Sequence, residues 1–430
     1  MKKLLTVGLA GALTLSLAAC SGGSSTTPTP DASAPQSSDS PAAPASDITL
    51  TFMTNVVGEQ ASALEGVLAD FTAETGIKVD FSAPGESYED LMKTKMSAND
   101  LPDLFTTHGW SVARYSDFLA PVNDQPFFSR ISDQILPVIT AESGDVFVLP
   151  VDADIAGLVY NVDVLEAAGV DADSLTTWDS FTEALGTIKD KGVTPLHVGG
   201  KDSWTIGQFG DWIAPSFFVT NEASNQRDAL KSGEFDAATW EKAADLMAGW
   251  VENGYFNEDS LTADYAADAA AIGEGSAAFG FYGNSFIVDA KATNPDANLG
   301  MMPIPAASAD DTPSLIAGER IAVGVWKDSP KKDAAFQLLN FLAEEDNVKT
   351  IATASGNPAG LKDVKSDIGD IQTYLDKHSA IRAFPYFDRE YLPSGMWDTM
   401  CATGENILAA RAGAVEQAGQ TMKQDFEDKF

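Results

Sequence analysis

The order of elements along this chain predicts an α/β fold in two lobes. Three observations carry the prediction. Strand-type and helix-type runs alternate from residue 48 onward, the alternation restarts after Val146, and 430 residues with an apolar share of 44% suffice for two domains.

The chain opens with Lys2 and Lys3, an apolar run from Leu4 to Ala18, and Ala18-Ala19 ahead of Cys20. That run is too short to span a bilayer comfortably, so residues 1–19 read as an export signal. Leu17-Ala18-Ala19-Cys20 resembles the bacterial lipobox, which implies acylation of Cys20 and anchoring on the outer face of the cell membrane. Residues 20–47 are Ser, Thr, Pro, Ala and Gly with a few Asp, and they lack aromatic residues, Lys and Arg. Such a segment cannot bury enough apolar surface to offset the entropy of ordering, so it is expected to be a linker.

The body follows in order. ITLTFMT (48–54) reads as a strand, and Leu64, Val67, Leu68 and Phe71 at i, i+3, i+4 and i+7 make one face of a helix. IKVDFSA, the helix YEDLMKTKMSA and the strand PDLFTT complete a βαβαβ series, which predicts a parallel sheet. Ligand sites in such sheets lie beyond the carboxyl ends of the strands, here TNVVGE (54–59) and THGWS (107–111). After Val146, VFVLPVDADIAGLVYNVDVLEAAGV reads as two strands and a helix. Thr177 is a plausible N-cap for a helix bearing Phe181, Leu185 and Ile188. The strand TPLHV, aromatic-rich helices through Phe256, a helix over 262–272, the strand AAFGFYG (277–283), an extended run over 314–325 and two helices follow. The stretch from Gly395 to Phe430 reads as helical.

Composition excludes several function classes. The net charge is −36, from 27 basic and 63 acidic side chains, a field that repels nucleic acid and anionic surfaces. With Cys20 acylated, Cys401 has no intrachain partner, so core packing must hold the fold without disulfides. Three scattered His offer no metal spacing, and G-x-S-x-G is absent. In GEGSAAFG the glycines precede a strand instead of following one, so dinucleotide-phosphate geometry fails. No metal or other cofactor is expected.

The collinear series ITLTFMTN, ADFTAETGIKVDF, LPDLF, VFVLPVDADIAGLVYNVDVLEAAGV, TTWDSFTEAL, GEGSAAFGFYGNSF, NPDANLGMMPIPA and IAVGVWKDSPKKDAAFQLLNFLAEED resembles the family 1 extracellular solute-binding proteins. These are sugar-binding lipoproteins of ABC importers, related to maltose-binding protein. The resemblance implies a monomeric two-lobed periplasmic-binding-protein-like clamp that holds a carbohydrate in its cleft and delivers it to the permease subunits of an importer. The membrane is met through the N-terminal lipid only. It places the first lobe at 48–153 plus 320–362 and the second at 154–319 plus 363–430.

A sugar site needs aromatic plates for flat C–H faces and fixed donors and acceptors for the hydroxyl rims. Trp397 matches a sugar-stacking position of the family, with a core tryptophan as the alternative. Trp204 stands at the loop-to-helix junction after TPLHV, whereas Trp212, two turns on, reads as core. Asp154 matches the family's hinge acid. Asp152 and Asp154 are two apart in extended chain and share a face, so one of them should see the cleft. Asn55, Glu59, His108 and Trp110 follow first-lobe strands at their carboxyl ends, as Tyr282 and Asn284 do in the second lobe. The family often places tryptophan where this chain has Ser285, which shifts the stacking role to Tyr282 or Phe286. Glu319 and Arg320 lie on the second crossing, with an ion pair as the alternative to ligand binding. The rival functions are a glycoside hydrolase, which needs two carboxyls flanking the scissile bond about 5–9.5 Å apart, and a binder of a polyamine or peptide. Asp152 and Asp154 approach from one side, which disfavours the hydrolase.

Overall fold

The computed structural model describes residues 47–107 and 115–430, apart from positions 134, 142, 370 and 379. The expectations for Cys20, His108 and Trp110 lie outside the described residues. Strands β1 (Thr49–Met53), β2 (Lys78–Ser82), β3 (Leu104–Thr107), β4 (Val148–Pro150) and β10 (Ala322–Val325) form one sheet in the order β2-β1-β3-β10-β4. Its β2, β1 and β3 are parallel, as the βαβαβ series predicts, with Phe52 opposite both Phe81 and Leu104. The Gly58–Thr75 helix buries the stripe Leu64, Val67, Leu68 and Phe71, and Gly76 stops it in the left-handed region at φ 74°.

The second sheet contains β5 (Ala153–Asn161), β6 (Thr194–Leu196), β7 (Ala277–Gly283), β8 (Leu299–Met302), β9 (Leu315–Glu319) and β11 (Ala383–Phe384), in the order β11-β9-β5-β7-β6 with β8 also on β5. β5 is long enough for one edge to take two partners, β9 along 153–156 and β8 along 158–161. Thr177 caps the Trp178–Asp190 helix with a reciprocal bond to Ser180, which completes a capping box.

Each sheet has its own apolar core. One gathers Leu50, Phe52, Phe71, Leu104, Phe105, Val323 and Leu338, and extends from Leu50 to Ala153 and again from Ile321 to Val364. The other extends from Ala156 to Ile316 and from Ile368 to Phe426. At its centre Phe281 stacks on Phe209 at 4.1 Å, with Trp178 and Trp212 each 6.1 Å away. Burying one such ring contributes about 1.5–3 kcal/mol.

Two continuous readings break in the structure. The extended run 314–325 divides into β9 and β10, which belong to different sheets, just as β4 and β5 do across Val151–Asp152. The C-terminal helical stretch divides into Met396–Leu408 and Ala414–Lys429, because Ala410 (φ 52°) and Gly413 (φ 74°) turn the chain left-handed.

Candidate functional site

Strand direction locates the site. In the first sheet β1, β2, β3 and β4 run together and β10 runs against them, while in the second β6, β7, β9 and β11 run together against β5. The chain leaves the carboxyl end of β4 for the start of β5, and the carboxyl end of β9 for the start of β10. Both sheets therefore turn their ligand-binding ends toward the same pair of crossings.

The crossings meet at a saturated polar pivot. Asp152 is fully buried; its Oδ1 accepts the Ile321 N–H at 2.6 Å and its Oδ2 accepts Asn357 Nδ2 at 2.7 Å. Asn284, also fully buried, donates Nδ2 to Gly356 O at 2.6 Å and to Asn357 Oδ1 at 2.8 Å, and accepts the Ile155 N–H at 3.1 Å. Burial raises the Asp152 carboxyl above its ordinary pKa, against the pull of Arg320. The expectation that Asn284 faces ligand is corrected: its amide is spent on holding the crossings together. Of the two acids expected to share a face, Asp152 belongs to the same pivot.

Asp154 sits differently. It is half-buried, its Oδ2 accepts the Tyr386 hydroxyl at 2.5 Å, and its Oδ1 has no hydrogen-bond partner among the described residues. Two glycines make room for it. A Cβ on Gly283 of β7 would fall 2.4 Å from Asp154 Oδ1, and one on Gly318 of β9 would fall 2.8 Å from the Tyr386 ring. Gly318 is the register partner of Asp154, so a side chain there would push Tyr386 off the carboxylate. Burial and the Asp154 charge hold the Tyr386 phenol well above its ordinary pKa, so it stays a donor at neutral pH.

Beside Gly283 stands an aromatic corner. Tyr282 is buried and stacks flat on Phe286 at 4.2 Å, and its hydroxyl donates to the fully buried Asp268. Asp268 also accepts the Gly199 N–H at 2.9 Å and contacts His197 Nδ1 at 2.6 Å. The shift of a stacking role to Tyr282 or Phe286 is thus corrected, because these rings face each other and form a backing. The half-exposed rings are Trp204, at the start of the Trp204–Phe218 helix, and Tyr265, 5.0 Å apart and packed against Tyr282. Tyr265 is fixed by its hydroxyl bond to Asp289 at 2.6 Å.

Trp397, on the Met396–Leu408 helix, is half-exposed and packs against the Trp204–Phe218 helix one turn after Trp204, where a Cβ at Gly207 would come 3.0 Å from its ring and 2.6 Å from Cys401 Sγ. Burial pushes the Cys401 thiol up to about 12, so it remains an unreactive thiol beneath the tryptophan. Trp212 is fully buried, as expected. Next to it, the buried Oε1 of Gln208, one turn after Trp204, has no partner among the described residues. Glu319 is fully buried and pairs with Arg389 at 3.5 Å, the ion-pair alternative of the sequence reading. Arg320 instead donates to Gln60 Oε1 at 2.6 Å and is near enough to Tyr265 to oppose the upward pKa shift that burial imposes there. In the first lobe Asn55 is half-buried and accepts from Thr106 Oγ1 at 2.9 Å, while Glu59 is exposed on the first turn of its helix.

Sequence reasoning missed Tyr265, Tyr386, Arg389, Asp268 and Gln208. Tyr265 and Arg389 stand in short helices and Tyr386 just before one, and periodicity marks none of them as special. Only the density of aromatic and acidic residues in RAFPYFDREY offered a signal.

Comparison with known proteins agrees with this architecture. The profile of the bacterial extracellular solute-binding proteins matches residues 56–349. The melibiose/raffinose/stachyose-binding protein MelE of Bacillus subtilis is 32% identical over 357 residues, 82% of each chain. A Bacillus licheniformis sugar transporter solved with stachyose is 34% identical, covers 89% of this chain and 100% of its own, and superposes with a TM-score of 0.81. A Bacillus subtilis binding protein in an open conformation is 30% identical over 89% of this chain and 97% of its own, with a TM-score of 0.79. The chain belongs to the family of bacterial extracellular solute-binding proteins, with their bilobed fold, and is a binding protein, not an enzyme.

Proposed function

We propose that this protein is the lipid-anchored receptor of an ABC importer and captures a neutral oligosaccharide of the melibiose, raffinose and stachyose series. The carrying observation is Asp154, a carboxylate fixed on one side by Tyr386 whose other oxygen lacks a partner among the described residues, beside the half-exposed rings of the second lobe. Trp204, Tyr265 and Trp397 are the plates for sugar faces, and Asp154 Oδ1 and Gln208 Oε1 accept from hydroxyls. Asn55, Glu59, His108, Trp110 and Arg320 supply the first-lobe side. The relatives that name raffinose-series ligands support the sugar class over a polyamine or peptide.

Capture by both lobes would shift the clamp from open to closed, and only the share of binding free energy that discriminates the two states does so. Moving the ratio from 1:99 to 99:1 takes about 5.5 kcal/mol. Calorimetry with stachyose, raffinose, melibiose and maltose tests the reading. Saturable heat with the first three is expected, together with a more compact particle in small-angle scattering. Silence with every oligosaccharide would remove the sugar assignment. For the anchor, Cys20→Ala should release the protein from membranes with unchanged sugar affinity, and retention would refute lipidation.

A further inference from the structure

We propose that Tyr386 and Arg389 are positioning residues that turn Asp154 into a one-sided acceptor, so that Oδ1 is the atom offered to the ligand. Tyr386 immediately precedes the Phe387–Tyr391 helix and Arg389 lies three residues on, so both side chains leave on one side of its first turn. The Arg389 guanidinium stands 3.9 Å over the Tyr386 ring centroid, and its Nη1 donates to the Glu319 carbonyl at 3.1 Å. The guanidinium is thereby tied to the end of β9, and the ring is held between that cation and the bare backbone of Gly318. From this position the phenol donates to Asp154 Oδ2, and the carboxylate is held with Oδ1 over Gly283.

The arrangement has a directional consequence. Of the polar atoms in a carboxylate or a carboxamide only an oxygen can take the phenol proton, so while Tyr386 donates here it fixes which end of the side chain at position 154 faces it. With aspartate the atom left without a partner among the described residues, Oδ1, is an acceptor. With asparagine the amide oxygen would turn to Tyr386 and the NH₂ would face the ligand, replacing an acceptor by a donor. Removing the phenol hydroxyl frees the amide to place its oxygen where Oδ1 of the aspartate lies.

This inference rests on the sugar-binding reading, and its test separates the two. Affinities for stachyose are measured for the wild type, Tyr386→Phe, Asp154→Asn, the double variant and Arg389→Lys, alongside crystal structures of the ligand-free wild type and Tyr386→Phe proteins. Tyr386→Phe is expected to weaken binding about tenfold, the scale of one hydrogen bond to a charged group. Asp154→Asn should lose about a hundredfold, and the double variant should recover roughly tenfold of that loss. Arg389→Lys keeps the charge beside Glu319 without the planar contact and should fall between wild type and Tyr386→Phe. In ligand-free Tyr386→Phe the Asp154 carboxylate should leave its single position. A double variant no better than Asp154→Asn, or an Asp154 unmoved by Tyr386→Phe, overturns the proposal. Wild-type affinity in Arg389→Lys removes Arg389 from it. Should the wild type bind no oligosaccharide, the sugar reading fails, and the position of Asp154 in the two ligand-free structures alone decides the positioning role.

Discussion

The pivot and the cleft wall of the second lobe are built from similar residues a few positions apart, and they differ in whether their hydrogen bonds are complete. Asp152, Asn284 and Asn357 are fully buried; Asn357 bridges the other two, Asp152 accepts the Ile321 N–H of one crossing and Asn284 the Ile155 N–H of the other. Asp154 is only half-buried and keeps one carboxylate oxygen without a partner among the described residues, over Gly283, whose neighbour Tyr282 backs the half-exposed Trp204 and Tyr265. A satisfied buried polar group holds structure, whereas an incomplete one holds a place for something else.

That contrast can be broken most severely at Asp152. Asp152→Ala strands the Ile321 N–H and the Asn357 amide in the interior and should cost about 3 kcal/mol of stability or more, read by denaturant unfolding. Asp154→Ala should leave the unfolding midpoint nearly unchanged while abolishing measurable sugar binding. A reversal of the two phenotypes would mean that the roles of the acids have been exchanged.

Next in size are the plates. Trp204→Ala and Trp397→Ala should each weaken oligosaccharide binding by about 2–4 kcal/mol, by analogy with aromatic anchors at interfaces. Full affinity with a normal melting temperature would take that tryptophan off the site. A large loss of stability would put it in the core.

A smaller effect is expected at Gly356, which joins the pivot to the second lobe. Its φ is 64°, and a Cβ there would fall 2.5 Å from Val288 Cγ2. Gly356→Ala should cost about 1–2 kcal/mol and wedge the Ser285–Thr293 helix away from the end of the Glu345–Ala354 helix. Scattering profiles of the ligand-free protein should then differ from wild type, and identical profiles would place that contact outside the hinge motion.

The smallest effect concerns Asp211, buried under the cleft wall with its Oδ1 accepting the Asp388 N–H at 2.7 Å. Burial and the neighbouring Asp388 charge raise its pKa well above 3.8, with Arg389 pulling the other way. The folded state therefore binds more protons than the unfolded state above about pH 4, so this group's contribution to stability falls as pH rises toward its folded pKa. Asp211→Asn can keep the bond from Asp388 N–H and should flatten that slope above about pH 4, as read by melting temperature. A slope as steep as wild type would assign it to another group.

Much of the fold was legible because it depends on local rules. The stripe Leu64–Phe71, the cap at Thr177 and the βαβαβ series follow from periodicity and side-chain chemistry within a few residues, and the structure reproduces each. The site was legible unevenly. Trp204 and Trp397 were singled out from their places at helix starts, and both are half-exposed, as a ring facing a ligand would have to be. Asn284 and Tyr282 were misread because strand-end position says where a residue stands but not what satisfies it. Tyr386 and Arg389 gave only the diffuse signal of an aromatic and acidic stretch, since their importance depends on Gly318 and Asp154, 68 and 232 positions before Tyr386.

The sequence by itself determined the alternation of elements, the acidic surface, the expectation of export and the absence of any call for a metal or disulfide, all of which follow from composition and short-range pattern. The tertiary structure alone decided that one extended run serves two sheets, that Asp152 locks while Asp154 stays open, and which rings face solvent. Those outcomes depend on contacts between residues far apart in the chain. A hydrogen bond or a buried face is completed only when folding brings its distant partner into place.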